Sequence, residues 1–343
     1  MTIQNVVLSH GHIDHFGGIF SHARAYSLVC GGGSSSIPNY YIPEELIPNI
    51  QKACNLFSDI DATTSSSTSA SSTTISTTTK YEQRELLKMN IIPMKVGKEV
   101  EINIQTKKKK GSSNKVKFYL RPFEVSHCCH PSLGYNIISK TTITKLKEEY
   151  QGIGQQELAE LVRSGIEINT RQVIEKVEVC YTGDTSVDGL LLSGSGISTS
   201  SSSCCDDNTK LVAESRQQLK EGFQSPLIIC ELTYLLEKER ELAKDRGHMN
   251  LYDIESVFES HHYWEMDIDR KIIFYHLSSR AKTAKNILET LSNTLPKKML
   301  DITEVALASF PSKSLLSICQ DNGCISISDY LRFCQESGGS KTN

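Results

Sequence analysis

Short runs of β-branched and aromatic residues alternate with helical stripes along most of the chain. Ile3 to Leu8 is rich in Val and bounded by polar residues, which predicts a buried strand. A helix over Phe16 to Leu28 follows, then the strand NYYIP and the helical stretch EELIPNIQKACNLF. Further strands are predicted at EVEINIQ, VKFYLRPFEVS, LGYNIIS, VEVCYTGD, PLIICELTY and KIIFYHLS, all rich in residues that suit a pleated surface. GQQELAELVRSG and NLYDIESVFESHH carry helical spacing. In the second, Leu251, Ile254, Val257 and Phe258 form one apolar stripe, with Asn250 placed to cap it. Strands mixed with helices throughout predict one α/β domain with helices covering sheets.

Three segments break this pattern. Ser58 to Thr79 is dominated by Ser and Thr, and residues 193–210 repeat the theme with Gly, Cys and Asp. Neither buries enough apolar surface to offset its ordering entropy, so both are expected to be surface insertions. KKKKGSSNK, from Lys107 to Lys115, falls between two predicted strands as a hairpin loop. Its lysines read first as a solvated loop, and second as a patch for phosphate groups.

Composition narrows the class. Hydrophobic residues at 38% and charged residues at 22% exclude a wholly disordered chain. No run of about eighteen apolar residues occurs, so no spanning helix is expected. A formal charge of −3 gives no global basic signature, and any nucleic-acid contact must rest on local patches. The 11 cysteines include no C-x-x-C and two adjacent pairs, Cys128–Cys129 and Cys204–Cys205, which reads as reduced thiols in a cytosolic or nuclear protein. The first residues have no secretory pattern.

The sharpest chemistry is Ser9-His10-Gly11-His12-Ile13-Asp14-His15, directly after the first strand. Three histidines and a carboxylate offer nitrogen and oxygen ligands at the end of a rigid element, a set suited to Zn²⁺ or a similar divalent ion. In an extended chain His10 and His12 face one ion together. A turn after Ile13 would bring Asp14 and His15 to a second ion. Two ions about 3.5–4 Å apart form the usual clamp for hydrolysing phosphate esters. Elsewhere, Asp184 lies in a Thr-Gly-Asp-Thr turn and His276 at a strand end, while His248 precedes a helix and reads either as a helix-entry residue or as a general acid. His22, His261 and His262 read as surface or packing residues.

The H-x-H-x-D-H spacing resembles the first metal motif of the metallo-β-lactamase superfamily. That likeness implies an α/β fold of the four-layer αββα sandwich type. FEVSH followed by PSLGY resembles the second motif, and YTGDT the one with a bridging aspartate. ELTYL (Glu231 to Leu235), GHM (Gly247 to Met249) and HLSSR (His276 to Arg280) follow in order. Together they resemble ribonuclease Z, the tRNA 3′-processing endonucleases, in a short, plant-like form, from Ile3 to about Phe310. The resemblance implies two Zn²⁺ ions: His10, His12 and His127 on the first, Asp14, His15 and His276 on the second, and Asp184 bridging. It further implies Asp14 taking a proton from water, His248 as general acid oriented or raised in pKa by Glu231, and Arg280 on a phosphate oxygen. The substrate would be precursor tRNA, cut by a homodimer in which one subunit grips while the other cleaves.

The chain departs from the family pattern in places. His130 competes with His127 as ligand, and Ala281 stands where the family carries tyrosine. The Gly/Pro-rich arm that grips the tRNA elbow is replaced by a short helical segment from Lys145 to Gly165. The chain starts at the motif strand, so the opening strands of the first sheet are expected to be missing. Residues 1–310 are expected to form the hydrolase domain, with 311–343 a C-terminal extension. The competing readings are another phosphodiesterase or hydrolase of this fold, and a truncated RNA-binding chain without activity.

Overall fold

The structure, a computed structural model, describes residues 3–29, 37–65, 87, 89–104, 116–191, 206–265, 269–278, 284–306 and 324–337. In chain order these form β1 (Asn5–Val7), α1 (Ile13–Val29), β2 (Asn39–Pro43), α2 (Ile47–Ser65), β3 (Asn90–Met94), β4 (Val100–Ile102), β5 (Val116–Glu124) and β6 (Leu133–Leu146). There follow α3 (Gln155–Arg163), β7 (Asn169–Tyr181), α4 (Val187–Leu190), α5 (Asp206–Gly222), β8 (Leu227–Glu231), α6 (Arg240–Asp245), α7 (Ile254–Ser260) and β9 (Lys271–Tyr275). The last are α8 (Ala284–Thr294), α9 (Lys297–Leu300), β10 (Thr303–Ala306), β11 (Cys324–Ser326) and α10 (Ile327–Ser337). One sheet has the order β1-β2-β3, all parallel. The other runs β11-β10-β9-β8-β7-β6-β5-β4, parallel from β7 to β10 and antiparallel beyond on both sides.

Residue parity along the strands decides the layers, because neighbours in a strand point to opposite faces. Tyr40 and Ile42 of β2 pack with Ile19, Phe20 and Ala23 of α1 and Ile50 of α2. Tyr41, one step out of phase, faces the opposite way and joins Met94, Ile102, Leu120, Leu133 and Tyr135. That second cluster draws on both sheets and is the seam between them. Ile228, Cys230, Ile272 and Phe274 turn the far face of the larger sheet toward Val257, Phe258, Leu288, Leu291, Ile327 and Tyr330 on α7, α8 and α10. The result is helix, sheet, sheet, helix. Each fully buried Leu, Ile or Phe in these layers stabilises by about 1.5–3 kcal/mol, so the layer order follows from the apolar pattern alone.

Several elements differ from the sequence expectation. LGYNIIS and VEVCYTGD are only the inner parts of strands 14 and 13 residues long. These pair from Tyr135↔Tyr181 out to Leu146↔Asn169. Residues 169–176 are exposed, so the outer half of this hairpin has no buried face to imprint on the sequence. Helix α3 connects its two strands and buries no residue. Helix α2 runs to Ser65, so the first Ser/Thr stretch begins as helix, and α5 starts at Asp206, so the second insertion ends before residue 210. Residues 66–86 and 192–205, and the Lys107 to Lys110 loop, lie outside the described residues. Strand β11 pairs with β10, and Ile327 and Tyr330 enter the main core. The segment set apart as a C-terminal extension thus supplies an edge of the larger sheet. Among the described residues no helix is long and apolar enough to cross a membrane.

Candidate metal centre

The chemistry gathers at the C-terminal ends of five strands, where side chains project beyond both sheets. His10 and His12 follow β1, His127 follows β5, Asp184 follows β7, Glu231 ends β8 and His276 follows β9. The loop after β1 is pinned by its backbone. Leu8 N–H donates to Tyr41 O (2.9 Å), Leu133 N–H donates to Ser9 O (3.0 Å) and the Tyr135 hydroxyl donates to Leu8 O (2.7 Å). His12 O then accepts from the N–H groups of His15 and Phe16, both at 3.0 Å, which starts α1 at Ile13. The chain therefore turns immediately after His12, one residue earlier than the sequence suggests, and Asp14 and His15 swing around to a second position.

Nδ1 of His12 lies 3.1 Å from Nε2 of His10 and 3.2 Å from Nε2 of His127. Nitrogens around a tetrahedral metal ion at about 2.0–2.1 Å stand roughly 3.3–3.4 Å apart, so these two separations suit imidazoles sharing one ion. The second ring nitrogens of His10 and His127 are held from behind. Ser9 Oγ is 3.0 Å from His10 Nδ1, and His127 Nδ1–H donates to the Gly247 carbonyl at 2.7 Å. Such outer partners fix tautomer and ring direction in metal sites. His130 is exposed and belongs to none of the ligand groups among the described residues.

Next to this triad, Oδ2 of Asp184 faces Nε2 of His15 (3.1 Å), His276 (3.3 Å) and His10 (3.9 Å). Asp14 Oδ2 closes the group at 3.8 Å from His15 Nε2 and 3.7 Å from His276 Nε2. The short Asp184 contacts lack hydrogen-bond alignment, and Oδ2 is buried without a hydrogen-bond partner. A buried carboxylate oxygen left this way is costly, and a cation between it and the imidazoles removes that cost. The donor set therefore fits a metal centre with Asp184 shared between both groups. Burial, followed by the charge on His15, lowers His10 to about 3, so its lone pair is free at neutral pH. Burial pushes Asp184 up, but His15 and then His276 hold it down to about 2.

Local backbone aims these groups. Gly183 in the YTGDT turn has φ +64°, and a Cβ there would lie 2.8 Å from Leu133 O. His276 itself adopts φ 63°, a left-handed conformation that costs free energy outside glycine and turns its ring away from the line of β9.

Beside these groups is a polar cluster around Glu231, whose carboxylate, His248 and His276 also lie close enough to one another to hold an ion. Glu231 is fully buried. Its Oε1 lies 2.6 Å from His248 Nδ1 and 2.5 Å from Thr233 Oγ1, and its Oε2 accepts from Met249 N–H at 2.7 Å. Thr233 Oγ1 is in turn 2.8 Å from Nδ1 of His276. Burial raises Glu231 well above its ordinary range and lowers His248, so the carboxyl orients the imidazole without a net rise in its pKa. The sequence reading did not single out Thr233, Ser9, the Gly247 carbonyl or Tyr275, whose hydroxyl is 3.4 Å from Asp184 Oδ1. The only sequence signal for Thr233 is a hydroxyl two residues past a strand-end carboxylate. Arg280 lies outside the described residues. His22 bonds the Tyr40 hydroxyl (2.7 Å) and His261 stacks on Phe223, both away from the centre.

No family model matches the chain. Among curated proteins, tRNase Z TRZ1 of Arabidopsis thaliana is 23% identical over 290 residues, covering 84% of this chain and 77% of the relative. The chain is thus similar to a tRNase Z over most of its length. Solved ribonuclease Z structures give weaker likenesses. Human tRNase Z, short form, aligns with TM-score 0.37 at 16% identity, over 82% of this chain and 74% of that one. A long form RNase Z from yeast aligns with TM-score 0.45 at 13% identity, over 97% of this chain and 34% of that one. Of the motif residues named from the sequence, His10, His12, Asp14, His15, His127, Asp184, Glu231, His248 and His276 lie together at the strand ends, and Arg280 lies outside the described residues.

Proposed function

We propose that this chain is a divalent-metal-dependent endoribonuclease that removes 3′ trailers from precursor tRNA and leaves a 3′-hydroxyl on the tRNA body. The observation that carries the reading is the pair of adjoining ligand groups with Asp184 Oδ2 facing His10, His15 and His276 between them, and the His248–Glu231 pair beside them, in a chain similar to a tRNase Z. Two Zn²⁺ ions held by His10, His12 and His127 and by Asp14, His15 and His276 would lower the pKa of a shared water and stabilise charge on the phosphate. Asp14, the most exposed member, stands at the mouth and accepts the proton of the attacking water. His248 donates a proton to the departing 3′ oxygen, and Glu231 holds its Nδ1 while charge passes through the ring. Arg280, in the HLSSR motif, binds a phosphate oxygen through its guanidinium fork.

The substrate reading includes a homodimer, with the exposed hairpin of β6 and β7 and its helix α3 as the tRNA-gripping element. The thiols of Cys54, Cys128, Cys129, Cys180 and Cys230 are free, which suits a cytosolic or nuclear setting.

The test is incubation of the purified chain with a precursor tRNA carrying a 3′ trailer, with the new ends mapped. Cleavage to a 3′-hydroxyl, abolished by a chelator and restored by Zn²⁺, is expected. Turnover of a nitrophenyl phosphodiester without tRNA cleavage would replace this reading with a general phosphodiesterase. Binding of tRNA without turnover of either substrate would leave only a non-catalytic RNA-binding chain.

A further inference from the structure

The proton inventory of the Glu231 cluster reaches further than the general acid. Oε1 of Glu231 receives two close neighbours, Thr233 Oγ1 at 2.5 Å and His248 Nδ1 at 2.6 Å. Thr233 has one hydroxyl proton and donates it to Glu231. Toward Nδ1 of His276, 2.8 Å away, it then has only lone pairs to offer. His276 must therefore be the donor in that bond. Its proton sits on Nδ1, and Nε2, 3.3 Å from Asp184 Oδ2, carries the free lone pair. The side chain of His276 is one-quarter exposed and its backbone is strained at φ 63°, so neither packing nor conformation alone fixes the ring.

We infer that Thr233 is a positioning residue for the second metal ion: its hydroxyl links Glu231 to His276 and locks the imidazole in the ligating tautomer. The inference rests on the metal-centre reading above. It makes one buried carboxylate serve two histidines, His248 directly and His276 through the hydroxyl. Removing a hydrogen-bond partner behind a ligating histidine weakens metal binding by about 10–100-fold. The effect is selective, because the first-site residues His10 and His127 are held by Ser9 and by the Gly247 carbonyl instead.

The experiment titrates the metal-free full chain with Zn²⁺ against a chelating indicator, for the unsubstituted protein, Thr233→Val and Thr233→Ser. The unsubstituted chain is expected to bind two ions. Thr233→Val is expected to hold the first as before and the second about 10–100-fold more weakly, while Thr233→Ser, which keeps the hydroxyl, restores it. Equal weakening of both ions, no weakening in Thr233→Val, or failure of Thr233→Ser to restore binding would overturn the inference. Fewer than two ions on the unsubstituted chain would instead overturn the reading of the centre. A second measurement needs no variant: ¹⁵N spectra of the metal-free protein report the His276 tautomer. The Nδ1–H form is expected, and the Nε2–H form would overturn the assignment even if Thr233→Val fails to fold.

Discussion

Nδ1 of His248 lies 2.6 Å from Oε1 of Glu231, a carboxyl group with no solvent exposure. Burial moves both partners toward neutrality, the acid upward and the base downward. The pair therefore holds a proton next to the ligand groups while contributing no metal ligand through Nδ1. His248→Ala is expected to keep about two metal ions per chain while tRNA cleavage slows by ~10²–10⁴-fold. A nitrophenyl phosphodiester has a better leaving group and should lose much less. Loss of metal in His248→Ala, or equal slowing on both substrates, would end the general-acid assignment.

Metal content should separate the ligand groups. His10 and His276 share no ligand group, while Asp184 Oδ2 lies 3.9 Å from Nε2 of His10 and 3.3 Å from Nε2 of His276. His10→Ala is expected to lose the first ion and His276→Ala the second, with Asp184→Ala losing or weakening both. Metal analysis of the three purified variants decides this. A single ion lost from Asp184→Ala with the other at full affinity would show that Asp184 does not bridge.

Gly247 supports the first site in two ways. Its carbonyl accepts from His127 Nδ1–H at 2.7 Å, and its φ is +69°. A Cβ added there would sit 2.5 Å from Cys128 N and 2.9 Å from His127 Cα. Gly247→Ala must therefore push back the loop that carries His127. Weaker Zn²⁺ binding at the first ion, by about 10-fold or more, is expected with the second ion less affected. Unchanged binding of both ions in a titration would show that the loop yields at no cost to the site.

The sequence was most legible where one residue type has one use. His10, His12, Asp14, His15, His127, Asp184 and His276 all stand in strand-end motifs, and the structure brings them to one place. The alternation in NYYIP likewise foretold a strand with both faces covered, since Tyr40 and Tyr41 go to different layers. What stayed hidden had no such mark. The outer halves of β6 and β7 lie in solvent, so no apolar rhythm announces them. Thr233 works through its single proton, and a threonine looks the same whether it caps, packs or relays. The choice between His127 and His130 needed the third dimension, because both follow the same strand and only one returns to the cluster.

His261 offers a test of the fold that is independent of the metal centre. It is 2% exposed, stacks on Phe223 with ring centroids 3.9 Å apart, and donates from Nε2 to the Leu190 carbonyl at 2.7 Å. Burial lowers its pKa to about 4, against 6.5 for an ordinary histidine. The unfolded chain therefore takes up this proton first as pH falls. Stability from the neutral ring is fully present above about pH 6.5 and is lost progressively down to about pH 4. Between pH 7 and pH 4.5 that single group should cost on the order of 2 kcal/mol. His261→Gln keeps an amide donor for Leu190 and cannot charge. Urea unfolding of both proteins, without metal, should show the unsubstituted chain losing about 2 kcal/mol more than the variant over that range. Stability curves that run parallel from pH 7 to pH 4.5 would mean that the buried ring is already charged or that its pocket opens before it titrates.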